Sequence, residues 1–130
     1  MYKILLVNDQ QLLRETLTSI IDEQGGFSVA SECSSYREAI DICKKTSIDI
    51  IFIDLLISME DKLEIREKIK LIDKNIKIFF IAYYNNFLSF NRALKTENFI
   101  DISEIILRPI EKNKVIKALD SYKKESKKME

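Results

Sequence analysis

Four short apolar runs set the terms for this chain: Ile4 to Val7, Ile50 to Ile53, Ile76 to Ala82 and Ile105 to Leu107. Most are continuous rather than alternating, the pattern of strands buried on both faces, as in a parallel sheet. A fifth and weaker run, Phe27 to Ala30, follows the Gly25-Gly26 break and reads as an edge or flanking strand. Between the runs lie segments of helical period. Leu12, Leu13, Leu17, Ile20 and Ile21 mark a first helix over Gln11 to Gln24, ended by the glycines. Ser35 with Glu38 forms a capping box that opens a second helix through about Lys45, with Ala39, Ile40 and Cys43 on its apolar side. Further helices are expected at Lys62 to Ile72, Asn86 to Glu97 and Glu111 to Lys127, the last just after the sole proline, Pro109.

Strand and helix therefore alternate five times. Such alternation implies right-handed crossovers with helices on both faces, and a functional site at the carboxyl ends of the strands. At 130 residues there is room for one domain. The final segment, Ser121 to Glu130, reads either as fraying helix or as the start of a connection.

Composition removes several functions. Lys plus Arg equal Asp plus Glu at 21 each, so no global basic field favours nucleic acid or anionic lipid. The short apolar run near the N-terminus is too brief for a signal peptide or a membrane span, and a cytoplasmic location is expected. No histidine is present, which excludes Ser-His-Asp triads and His-based zinc sites. The only glycines are adjacent, which excludes Gly-x-Gly-x-x-Gly and Walker loops. Cys33 and Cys43 match neither a zinc knuckle nor a redox pair and read as reduced thiols.

At the strand ends stand Asn8-Asp9, Asp54, Ala82-Tyr83-Tyr84 and Arg108-Pro109. Carboxylates, an amide and a cation on one rim suit phosphoryl transfer. Asp9, Asp54 and the Asn8 amide offer hard oxygens for Mg²⁺, and Arg108 offers a guanidinium for the anion. Asp9 also reads as a cap for the first helix. Asp54 is harder to read as structural, since it closes Ile-Ile-Phe-Ile, is followed by Leu55-Leu56-Ile57, and has no basic sequence neighbour.

These segments resemble the receiver domains of bacterial response regulators over Tyr2 to about Lys123. KILLVNDQ resembles the first strand and acidic pair, SIDIIFIDLLISMEDKLEI the phosphoacceptor segment, and IILRPIEKNKVIKAL the last strand, its cation-proline step and the last helix. IAYYNNFLSFNRAL resembles the fourth strand and helix of regulators with AraC-like output domains. The resemblance implies a flavodoxin-like, doubly wound α/β fold, a five-stranded parallel sheet in order 2-1-3-4-5 with helices on both faces. It implies a receiver domain over residues 1–123 and a tail or linker over 124–130. It makes Asp54 the phosphoacceptor, with Asp9, Asn8 and the Leu56 carbonyl around Mg²⁺. It also implies signalling rather than enzymatic function: a sensor histidine kinase or phosphotransfer protein as partner, and an output domain or a homodimer through the fourth-helix to fifth-helix face.

Departures from the family pattern are specific. One acidic residue of the first pair is Asn8. The hydroxyl position after the fourth strand holds Ala82; a one-residue slip would place Ile81 or Tyr83 there, of which only Tyr83 carries a hydroxyl. Arg108 stands where the family has lysine, a planar fork instead of a point charge. The aromatic position of the last strand holds Ile105, and the loop positions for proline and glycine hold Ser58 and Lys62. The stretch from Leu94 to Ile105 is long, with Thr96-Glu97-Asn98 in place of a turn glycine. These losses predict a weakened switch, or a pseudo-receiver acting as a binding module without phosphorylation. An aspartyl-nucleophile phosphatase would carry an acid two residues after Asp54, where this chain has Leu56. Tyr83, Tyr84, Phe87 and Phe90 cluster near the fourth helix and read either as packing or as a partner face.

Overall fold

The computed structural model describes residues 1–57, 64–94 and 100–129. Five parallel strands, β1 (Tyr2–Val7), β2 (Phe27–Cys33), β3 (Ile50–Asp54), β4 (Lys77–Ala82) and β5 (Ile105–Leu107), form one sheet in the order β2-β1-β3-β4-β5, as expected. The helices are α1 (Gln11–Glu23), α2 (Tyr36–Lys45), α3 (Ile65–Ile72), α4 (Tyr84–Ala93) and α5 (Lys112–Met129), with a 3-10 turn at Ile102–Glu104 before β5.

Alternation along each central strand sorts its side chains onto two cores. Leu5, Val7, Ile51, Ile53, Ile78 and Phe80 face α2, α3 and α4, which contribute Tyr36, Ala39, Cys43, Ile65, Ile69, Phe87 and Phe90. Ile4, Leu6, Ile50, Phe52, Phe79 and Ile81 face α1 and α5, which contribute Leu17, Ile20, Ile21, Val115, Ala118 and Leu119. Both faces of the sheet are thus covered, which is why the runs are unbroken in sequence. Phe87 and Phe90 belong to the core, while Tyr83 and Tyr84 stay exposed.

Element boundaries moved for local reasons. β2 runs on to Cys33 because a register shift between Ile4 and Leu5 lets it keep pairing with β1. Gly25 and Gly26 take φ of +65° and +85°, ending α1 in a conformation that glycine adopts without strain. α4 starts at Tyr84, two residues early, because the Tyr83 N–H donates to Asn86 Oδ1 and puts Asn86 inside the first turn. Ser35 caps α2 as expected, its hydroxyl oxygen accepting from the Glu38 N–H. The segment read as a tail at 124–130 continues α5 to Met129, and Ser126 hydrogen-bonds the Tyr2 hydroxyl at 3.0 Å. Ser58, Lys62 and Thr96-Glu97-Asn98, with the helix ends expected around them, lie outside the described residues.

Cys33 and Cys43 are free and buried, and burial pushes both thiols up to about 11. Their thiolate populations at pH 8 are therefore small, and thiolate is the reactive form. Titration with a chromogenic disulfide at pH 8 is expected to label neither quickly in the native chain and both at once in guanidinium; rapid native labelling would contradict the packing described.

Candidate functional site

Parallel register aligns the strand ends. Val7 pairs with Ile53, Asp54 with Ile81 and Ala82 with Leu107, so Asn8, Asp54, Ala82 and Arg108 fall in one row at the carboxyl edge. The sequence grouping of these residues is reproduced in space.

Asp54 is 1% exposed, so its carboxylate must find its donors within the protein. Oδ1 accepts the Leu56 N–H at 2.8 Å. Oδ2 accepts both the Arg108 Nη2–H and the Asn8 Nδ2–H, each at 2.6 Å. Arg108 is itself nearly buried and arrives from the end of β5, where its own N–H donates to the Ala82 carbonyl. The Arg108–Pro109 peptide is cis. Burial raises the Asp54 pKa; the Leu56 N–H and Arg108 act against that shift, and the charge on Asp9 adds to it.

The Asn8 amide faces the opposite way from a ligand. Its oxygen accepts the Gln10 N–H at 2.6 Å, and its NH₂ points at Asp54. Gln10 also accepts from Arg108 Nη1 at 3.3 Å. The result is a closed ring, Asp54 to Asn8 to Gln10 to Arg108 and back to Asp54. The Tyr83 ring lies 5.7 Å from the Arg108 guanidinium carbon, within cation–π range. Arg14 steadies the turn by donating to the Asn8 carbonyl at 2.6 Å.

Asp9 is exposed and does not cap α1; the N-cap is Gln10, and no side chain caps that helix. Among the described residues Asp9 has no hydrogen bond or ion pair, and its charge acts on Asp54. Ala82 is fully buried and offers only a methyl group. Ile105 starts β5 opposite Phe80 and packs on the α2–α4 side of the core. Leu56 is half exposed and serves the site through its N–H. Sequence reasoning missed Gln10 and Tyr36. The Tyr36 hydroxyl is buried and donates to the Asp54 backbone carbonyl at 2.7 Å. The only hint was an aromatic directly after a helix cap.

The two carboxylates fit a hard divalent cation such as Mg²⁺, which needs few protein oxygens. Among the described residues no three His, Cys, Asp or Glu side chains group as ligands, in keeping with an amide at position 8.

Residues 4–120 match the model of the response regulator receiver domain. The chain belongs to that family. Curated relatives include the sensory transduction protein LytT of Bacillus anthracis, 26% identical over 96% of this chain and 48% of that protein. The response regulator protein VraR of Staphylococcus saprophyticus is 29% identical over 89% and 60%. The chain spans about half the length of the curated relatives it matches. Among solved structures, the receiver domain of AraT, a response regulator from Geobacillus stearothermophilus, aligns with TM-score 0.82 at 20% identity over 98% of this chain and 97% of that one. A CheY-like receiver domain protein from Methanospirillum hungatei aligns at 0.78 and 16%, over 100% and 99%. These structural likenesses carry the fold. No helix among the described residues is long and apolar enough to cross a membrane.

The pH dependence of this receiver domain follows from Asp54. A carboxyl whose folded pKa lies above its unfolded value, about 3.9, binds protons better when folded. Its contribution to stability is therefore full below the unfolded value and is lost as pH rises through the folded one. Asp54→Asn removes that loss, so its melting temperature relative to the native chain should rise from pH 4 to pH 7. A difference that shrinks over that range would refute the direction.

Proposed function

We propose that this receiver domain accepts a phosphoryl group on Asp54 from a partner kinase or phosphotransfer protein in the cytoplasm, and that it does so with a weakened switch. The observation that supports this best is the arrangement at Asp54: a buried carboxylate at the strand edge with a guanidinium at 2.6 Å, and a second, exposed carboxylate, Asp9, whose charge acts on it. Asp54 Oδ attacks phosphorus, the bond to the donor breaks, and the phosphoryl oxygens take over donors that now serve the carboxylate. Arg108 is placed to hold one oxygen and the Leu56 N–H another. Asp9, Asp54 and the Leu56 carbonyl are the ligands we assign to Mg²⁺, which when bound neutralises charge on the transferred group.

Asn8 acts first as a donor to Asp54, and its oxygen already accepts the Gln10 N–H, so it offers a cation a neutral and partly engaged ligand. Mg²⁺ binding is therefore expected to be weaker than at a site with two acids, and Asn8→Asp should tighten it in a titration followed by NMR. No change would place position 8 outside the metal's reach.

Ala82 and Ile105 support the weakened switch, because neither can hydrogen-bond a phosphoryl group or reorient as an aromatic reporter. The same two residues support the second reading, a pseudo-receiver that binds a partner in one conformation. An output domain elsewhere in a longer protein, or a dimer through α4 and α5, fits either reading.

Intact mass after incubation with acetyl phosphate and Mg²⁺ separates the two. One added phosphoryl group, absent in Asp54→Asn, is expected; an unchanged mass would favour the pseudo-receiver.

A further inference from the structure

We propose that Tyr36 is a positioning residue for the Asp54 carboxylate, acting through the Asp54–Leu55 peptide unit. That peptide is gripped at both ends. Its carbonyl accepts the Tyr36 hydroxyl at 2.7 Å, and its N–H, carried by Leu55, donates to the Ile81 carbonyl of β4 at 2.9 Å.

Holding a peptide plane at both its carbonyl and its N–H restricts the rotations through which the chain on either side can move. One residue further on, the Leu56 N–H meets Asp54 Oδ1 at 2.8 Å. A tilt of the held peptide displaces that N–H, so the hydroxyl of α2 controls a donor to the reacting carboxylate that it never touches.

A buried tyrosine hydroxyl needs some partner, and any nearby carbonyl would satisfy it. This one selects the acceptor residue's own carbonyl, 18 positions away in sequence. Tyr36 is fully buried in the first turn of α2, beside its Ser35 cap, so the helix holds the ring with little freedom.

The test has a spectroscopic arm and a kinetic arm. Tyr36→Phe deletes one oxygen. In that variant, without any phosphodonor, the Leu56 amide and the Asp54 side-chain carboxyl ¹³C resonances are expected to move while amides of α1 and α5 stay in place. A purely structural hydroxyl would lower the melting temperature and leave those two resonances unchanged, which would overturn the proposal. Should Tyr36→Phe fail to fold, the native chain grown with 3-fluorotyrosine decides the point. A sharper hydroxyl donor must shift the Asp54 carbonyl ¹³C and the Leu56 amide, and no shift in either would also overturn it.

The kinetic arm rests on the reading of Asp54 as phosphoacceptor; the spectroscopic arm does not. Labelling by acetyl phosphate should slow by about tenfold in folded Tyr36→Phe, the scale set by small misplacement of a reacting group. Equal rates would overturn the positioning role. A native chain that takes no label defeats the phosphoacceptor reading instead, and leaves Tyr36 to be decided by the resonances alone.

Discussion

A carboxylate at the closed end of a central strand has almost no water to solvate it. β3 lies between β1 and β4, covered on both faces, and Asp54 continues its inward path to 1% exposure. Moving such a charge out of water costs several kcal/mol unless charge and hydrogen bonds compensate. Everything near the site follows from that requirement. Arg108 supplies the charge, the Leu56 and Asn8 N–H groups supply further donors, and Gln10 joins Asn8 to Arg108 so that neither is free to swing away. One ring thereby ties together the ends of β1, β3 and β5.

What was legible in the sequence is what depends on neighbours along the chain. Unbroken apolar runs disclosed buried parallel strands, the glycine pair disclosed the end of α1, and Ser35 with Glu38 disclosed a cap. Asp54 and Arg108 stood out because a charged residue that ends an apolar run has to be answered by something. Orientation was not legible. An amide has a donor end and an acceptor end, and nothing in Asn8-Asp9 says which faces Asp54. The Gln10 N–H decides it by occupying the oxygen. That same residue takes the N-cap position of α1, which frees Asp9 from the capping role that its place in sequence suggested. Phe87 and Phe90 could be read as core or as surface from their spacing, and only the path of α4 against Phe80 resolves them. The role of Tyr36 was not legible because its partner is a backbone carbonyl, which has no sequence signature.

The ring also bears on how much a phosphoryl group could change. A modification moves a two-state equilibrium only through interactions that differ between the states. Arg108 and the Leu56 N–H already donate to the unmodified carboxylate, so their bonds to a phosphoryl oxygen would largely replace bonds that exist now. A hydroxyl at position 82 would have been different in kind, idle in one state and engaged in the other, and a hydrogen bond to a charged group contributes about 1.5 to 3 kcal/mol. With a methyl group there, the difference between states must come from the charge itself and from Asn8, the donor to Asp54 that no phosphoryl oxygen is assigned to hold. Asn8 lies at the end of β1 and connects through Gln10 to the start of α1. The physical expectation is a response that opens the ring locally and reaches α1 before it reaches α4, because the donor that changes partner is attached to the first.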